Sequence, residues 1–158
     1  MRSINSETEF ETVDGVRIEC LWPPADLDPN VAANDTSTVL RIHYAGHSIL
    51  LTGDIEAYAQ RQLLERGHLE ADVLMLPHHG SVESTTEAFI RAVNPSVVIR
   101  SSHQRMSDTN NGLSQTVGHA LGDVPLLNTA DHGAITVEVD ESGVHISPLR
   151  SGGGLAVR

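Results

Sequence analysis

The stretch ILLTGDIEAYAQRQLLERGHLEADVLMLPHHGS spans residues 49–81 and decides the fold. Two short apolar runs, at residues 49–51 and 73–76, enclose a segment whose apolar residues Tyr58, Leu63 and Leu64 have the spacing of one helix face. Gly67 follows that segment as a stop signal. The pattern predicts strand, helix, strand, with the two strands buried and parallel.

Polar residues follow both predicted strands. Asp54 comes after the first, and His78 and His79 come after the second. Parallel strands joined by one helix end at the same edge of a sheet, where α/β proteins bind their ligands. A carboxylate and two imidazoles suit Zn²⁺ or Mn²⁺. Two alternatives remain open, because Asp54 could simply cap the helix that follows it and the His pair could be an ordinary surface feature.

Three segments together resemble a known family. They are NDTSTVLR at residues 34–41, GHSILLTGDIE at residues 46–56 and ADVLMLPHHGS at residues 71–81. In this order and spacing they are similar to the metallo-β-lactamase superfamily, and most closely to the metallo-hydrolase domain of the ComEC/Rec2 competence proteins. The resemblance extends from about Gly15 to about Val139. It implies an α/β fold, the C-terminal half of an αββα sandwich with a mixed sheet and flanking helices.

The resemblance also implies roles for individual residues. The Asp of T-G-D bridges two divalent ions in the family, which assigns Asp54 as a catalytic metal ligand. The His pair supplies a ligand and an active-site imidazole, which assigns His78 and His79 as metal ligands and His79 as catalytic, with the choice of direct ligand left open. The implied ions are zinc or manganese.

Three further residues are candidates for substrate contact or for supporting the ligands. Asn34 stands where the family begins the strand leading to T-G-D, although an ordinary turn residue is the alternative. Ser81 closes the second motif. The family has a His-Pro pair near residues 112–113, where this chain has Gly-Leu. His103, in the loop before that point, is a possible spatial substitute or a plain loop histidine.

One family motif is missing from the sequence. The H-x-H-x-D-H motif that supplies most of the metal ligands occurs nowhere among the 158 residues. One Asp and two His cannot complete a binuclear centre, since a single catalytic zinc already takes three protein ligands. The resemblance is therefore to the C-terminal half of the domain, and we expect the chain to be inactive by itself.

Composition limits the function further. The formal net charge of −11 disfavours tight non-specific binding to DNA. No apolar run is long enough to span a membrane, so the sequence predicts a soluble chain. The length predicts one domain, for which we expect residues 8–149, with flexible tails at residues 1–7 and 150–158.

Two functions from different classes follow. The first is a metal-dependent hydrolase, a phosphodiesterase or nuclease linked to competence and DNA uptake, of which this chain is one part. The second is a non-catalytic α/β module that has lost its metal site. A half-domain would also leave an apolar sheet face uncovered, which predicts homo-oligomers. The resemblance implies a bacterial source, and an extracytoplasmic location if the chain derives from a ComEC-like membrane protein.

Overall fold

The structure is a computed structural model that describes residues 4–10, 12–81, 86–108, 115–150 and 154–157. Its regular elements follow the predicted α/β pattern. The strands are β1 (Arg17–Trp22), β2 (Val39–Tyr44), β3 (His47–Leu51), β4 (Val73–Met75), β5 (Val97–Arg100), β6 (Leu126–Asn128), β7 (Ile135–Asp140), β8 (Gly143–Pro148) and β9 (Leu155–Val157). The helices are α1 (Ala57–Arg66), α2 (Glu87–Val93), α3 (Gln115–Leu121) and the single turn α4 (Thr129–His132).

Strands β1 to β6 form one mixed sheet in sequence order. β1, β2 and β3 pair antiparallel, whereas β3, β4, β5 and β6 pair parallel. The predicted strand–helix–strand unit is confirmed as β3–α1–β4, with Ile49 beside Val73 and Leu50 beside Leu74. Four parallel strands therefore end at one edge, which is where Asp54 and the His pair were predicted to meet.

Successive side chains along each strand point to opposite faces of this sheet, so each face packs against a different part of the chain. Leu50, Leu74 and Val98 point to one face, where they pack with Leu63 of α1 and Phe89 of α2 in the main core. The neighbouring residues Val73, Val97 and Ile99 belong to a second core on the other face. The first core fixes the helices that position the site, and the second joins the sheet to the C-terminal strands.

The second core is closed by a smaller antiparallel sheet, β7–β8–β9, whose Val144 and Ile146 are fully buried. The described residues thus form three layers, helices on a six-stranded sheet on a three-stranded sheet. This confirms the mixed sheet with flanking helices and matches three layers of an αββα sandwich. An apolar gap of about 290 Å³ remains between the sheets, lined in part by Ile42, Ile49 and Leu51.

Parts of both expected tails contact the rest of the chain. Leu155–Val157 pairs with β8, so this part of the expected C-terminal tail is a strand. Within the expected N-terminal tail, the backbone N–H of Ser6 donates to the Pro23 carbonyl at 2.7 Å. Val13 and Val16, on either side of Asp14-Gly15, form an isolated antiparallel bridge. None of the helices in the described ranges has the length and hydropathy needed to cross a bilayer.

Candidate metal site at the sheet edge

Gly53 shapes the turn that follows β3. Its φ of +56° lies in the left-handed region, and a Cβ there would stand 2.9 Å from the Cβ of Ser37. A side chain would therefore be strained and would clash. The Gly53 carbonyl accepts the backbone N–H of His78 at 3.1 Å, which ties the turn after β3 to the turn after β4. Glycine in T-G-D thus lets the two motifs approach each other.

The His pair has an unusual backbone. His78 and His79 are both left-handed, with φ of 46° and 59°. Each such residue costs roughly 1 kcal/mol or more, so two in succession persist only where the surroundings hold them. The turn directs the rings differently, since their centroids are 6.2 Å apart with planes inclined at 63°. Backbone strain of this kind is concentrated at functional sites.

Asp54 does not cap the helix that follows it. The N-terminus of α1 is capped by Asp35, whose Oδ1 accepts the backbone N–H groups of Glu56 at 2.7 Å and Ala59 at 3.0 Å. Asp35 comes from the loop before β2 and is only 3% exposed. The capping alternative for Asp54 is therefore wrong, and the Asp54 carboxylate instead lies 3.8 Å from Nε2 of His79.

The ring of His79 contacts Asp54 through one nitrogen and is held in place through the other. Its Nδ1 lies 2.9 Å from the Ser101 carbonyl oxygen. A carbonyl can only accept a hydrogen bond, so Nδ1 must carry the proton. In the neutral ring Nε2 is then an unprotonated lone pair that faces the Asp54 carboxylate. Metal-binding histidines are commonly held this way, with the other ring nitrogen donating to a carbonyl.

His78 belongs to a separate chain of contacts. Its Nδ1 lies 3.3 Å from Oε1 of Glu56, and the same oxygen accepts Nδ2 of Asn34 at 2.9 Å. Asn34 therefore lies near the His pair, and its amide contacts Glu56. Glu56 was not singled out from the sequence, although it lies two residues after Asp54 in the same motif. Its carboxylate links the loop before β2 to the His pair.

The remaining candidates line a cleft beside His79. Ser81 and His103 share a cleft of about 200 Å³ with His78, His79 and Arg100. The second wall of this cleft is the loop after β5. The structure therefore places His103, proposed as a spatial substitute for the missing His-Pro pair, on the same cleft as the His pair.

Arg100 is buried at the floor of this cleft, with 2% exposure at the end of β5. Its Nε donates to the His79 carbonyl at 2.8 Å. Burial lowers the pKa of the guanidinium, and the charge of Asp131 opposes that shift. Asp131 in turn accepts the Met106 backbone N–H at 3.0 Å and Nδ2 of Asn128 at 2.8 Å, of which the Met106 contact is the main cause of its lowered pKa.

The donor set fits a divalent ion only in part. Two ligands on one tetrahedral zinc lie about 3.4 Å apart, given bonds of about 2.0–2.2 Å. Asp54 and His79, at 3.8 Å, are close to that spacing. Among the residues that the structure describes, however, no three His, Cys, Asp or Glu side chains gather closely enough to hold an ion. Asp54 and His79 at this edge could therefore supply two of the ligands that an ion needs.

Comparisons with known proteins show which proteins the chain resembles. No family model matches the chain. Competence protein ComA of Neisseria gonorrhoeae is 32% identical over 142 residues, which is 87% of this chain and 20% of that protein. ComE operon protein 3 of Bacillus subtilis is 38% identical over 77 residues, or 48% of this chain and 10% of that protein. Over most of its length this chain is similar to one part of a competence protein.

Two other proteins are also similar to this chain. Protein YcaI of Escherichia coli is 32% identical over 138 residues, which is 86% of this chain and 18% of that protein. The chain thus spans about a fifth of the length of the curated relatives that it matches over most of its residues. A crystal structure of a Thermotoga maritima protein of the metallo-β-lactamase superfamily aligns with a TM-score of 0.48 and 19% identity, over 80% of this chain and 72% of that one.

Proposed function

We propose that this ComEC/Rec2-like domain supplies one side of a divalent-metal site for phosphodiester hydrolysis in a larger protein. One observation carries the proposal. The Ser101 carbonyl fixes the proton of His79 on Nδ1, so that Nε2 presents a lone pair toward Asp54. A helix-capping carboxylate or a surface histidine has no need of this arrangement, whereas metal-binding histidines almost always donate their other N–H to a group of this kind.

In this proposal Asp54 and His79 are the metal ligands, and His79 is the direct imidazole ligand of the pair. A divalent ion held there would lower the pKa of a bound water to about 7 and supply a nucleophile. His78, held by Glu56 and Asn34, would orient the solvent or the substrate at the other side. The cleft lined by Ser81 and His103 would receive the substrate.

The substrate class is proposed from the family. The relatives include a protein named for competence, which favours DNA as the phosphodiester. The chain itself carries a formal net charge of −11 and should repel a polyanion unless cations are bound. We therefore expect this chain alone to have no measurable hydrolase activity, because the remaining ligands and the DNA-contacting surface would lie elsewhere in the parent protein.

Zinc and manganese titration tests the proposal directly. Calorimetry on the wild-type chain should detect one weak site, because two ligands and water bind less tightly than a full shell. Asp54→Asn and His79→Gln should each abolish it, since each leaves a single ligand. His119→Gln, at an exposed position of α3, is the matched control and should bind like the wild type.

Two results would overturn this assignment. Equal metal binding by the wild type and by Asp54→Asn would place the ion elsewhere. Loss of binding in His78→Gln together with normal binding in His79→Gln would mean that the wrong imidazole had been chosen as the ligand. Hydrolysis of bis(p-nitrophenyl) phosphate by the chain alone would contradict the expected inactivity.

A second candidate function is a non-catalytic module. It is favoured by the finding that no three potential ligands cluster within the described ranges. A chain of this kind would bind neither zinc nor manganese at millimolar concentration, and Asp54→Asn would change nothing but surface charge. The same titration therefore separates the two candidates.

A further inference from the structure

Arg100 is an anomaly among the buried residues of β5. It ends β5, in which all four residues are buried, and its own side chain is among the largest that are fully buried. Taking a guanidinium out of water costs several kcal/mol unless hydrogen bonds and an opposite charge compensate. A buried apolar residue would serve packing as well or better, so the charge must be explained by what it contacts.

Its contacts join the turn of the His pair to the loop after β5. Nε donates to the backbone carbonyl of His79 at 2.8 Å, and Nη1 lies 3.7 Å from the sulfur of Met106. The His79 contact falls on the second of the two left-handed residues. Because such a backbone conformation is unfavourable, a charged donor on its carbonyl is a strong restraint in a place that needs one.

The loop after β5 is held by the same group of residues. Nδ2 of Asn128, the register partner of Arg100, donates to the Gln104 carbonyl at 2.8 Å and to Asp131. The Ser102 backbone N–H donates to Oγ1 of Thr129 at 2.9 Å. The loop that provides the Ser101 carbonyl is therefore fixed relative to β6 and α4, while Arg100 fixes the His79 backbone relative to the same elements.

We infer that Arg100 is a positioning residue for His79: by holding the His79 carbonyl, it keeps the ring where Nδ1 meets Ser101 and Nε2 faces Asp54. The inference rests on the proposed function only where it explains why His79 must be positioned. The positioning itself can be tested without metal. Arg100 does not touch the metal-ligand atoms in this scheme. Its effect passes through the backbone of His79.

Nitrogen NMR of the histidine rings provides the test. In the ¹⁵N-labelled chain at a pH where imidazoles are neutral, His79 should be found with its proton on Nδ1. In Arg100→Met this tautomer should give way to a mixture like that of exposed His119 in the same spectrum. Zinc affinity should fall about tenfold, the lower end of the range for residues that orient a ligand. Arg91→Met makes the same change at an exposed position of α2 and should alter neither quantity.

Arg100→Lys and a fold check keep the test decisive. Removing one partner of a buried charged contact destabilises a protein, so urea unfolding must first show that Arg100→Met is folded. Lysine keeps the charge but lacks the fixed Nε–H, so it should restore the tautomer only in part. If Arg100→Met does not fold, the wild-type and Arg100→Lys spectra still decide, because a wild-type His79 protonated on Nε2 overturns the inference.

The two proposals fail in different ways. A shifted tautomer in Arg100→Met, with no zinc binding by the wild type, would support the positioning role and overturn the metal site. Zinc binding by the wild type, with an unchanged His79 tautomer in folded Arg100→Met, would leave the metal site standing and overturn the positioning role.

Discussion

At the scale of single residues, the His pair combines strain with precise orientation. Two successive left-handed residues cost stability, and glycine would adopt the same backbone freely. The chain nevertheless places histidine at both positions. The sequence thus gives up stability at this turn for side chains that reach Glu56 and Asp54.

This strain predicts that glycine is more stable than alanine at position 78, which is the reverse of their order inside a helix. His78→Gly should be more stable than His78→Ala by about 1 kcal/mol, because both remove the ring but only alanine keeps a Cβ in the left-handed region. Urea unfolding monitored by circular dichroism measures the difference. The same pair at His119, inside α3, should show the opposite sign, since glycine is about 1 kcal/mol worse than alanine in a helix. Equal stability of the two His78 variants would contradict the assigned backbone.

At the scale of elements, β1 and β2 are held together by a charged cluster. Glu19 of β1 contacts Arg17, lies 2.8 Å from Nη2 of Arg41 and lies 3.0 Å from Nε2 of His43 on β2. Burial alone would raise the pKa of Glu19, but the hydrogen bonds from His43, Arg41 and Arg17 outweigh it and lower the pKa from 4.5 to about 2. The folded state therefore favours the ionised form of the Glu19 carboxylate.

Lowering the pH should remove the contribution of this cluster to the free energy of unfolding. Because the folded pKa of Glu19 lies below its unfolded value, the stabilisation is complete above pH 4.5 and is lost as the pH falls toward 2. Glu19→Gln should lower the free energy of unfolding by about 1–2 kcal/mol at pH 7, allowing for solvent screening, and by almost nothing at pH 2. Urea titrations at several pH values measure this. Glu138→Gln, on exposed β7, is the control, and a Glu19→Gln deficit independent of pH would contradict the mechanism.

The sequence predicted the elements better than the contacts between them. Apolar runs with a helical segment between them are local patterns, so β3–α1–β4 and the meeting of Asp54 with His79 could be predicted from strand-end geometry. Asp35 could not, because it caps α1 from a loop more than twenty residues away. Arg100 directly follows the apolar residues 97–99, and nothing local in the sequence indicates its contact with the turn of His79. Leu155–Val157 follows a glycine run, which concealed a short strand.

At the scale of the whole molecule, the two sheets do not match in width. Six strands face three, and the second core lies mainly under β4, β5 and β6. Ile42, Ile49 and Leu51 on β2 and β3 remain half-buried at an apolar gap. Within the described part of the chain, β7 pairs with β8 alone and so leaves one edge open to a further strand. An apolar gap beside an open edge is the arrangement that favours pairing with another chain.

We therefore expect copies of this chain to associate through β7 and the gap beside it. Light scattering over about 1 to 100 μM should show mass rising above that of a monomer, because association follows concentration. Ile42→Lys places a charge in the gap and should yield monomers, whereas Thr136→Lys places the same charge on the exposed face of β7 and should associate like the wild type. Circular dichroism must show both variants folded. A single monomer mass for the wild type across the whole range would contradict this expectation. It would mean that the three-stranded sheet covers the apolar face sufficiently and that the open edge of β7 does not pair with a second copy.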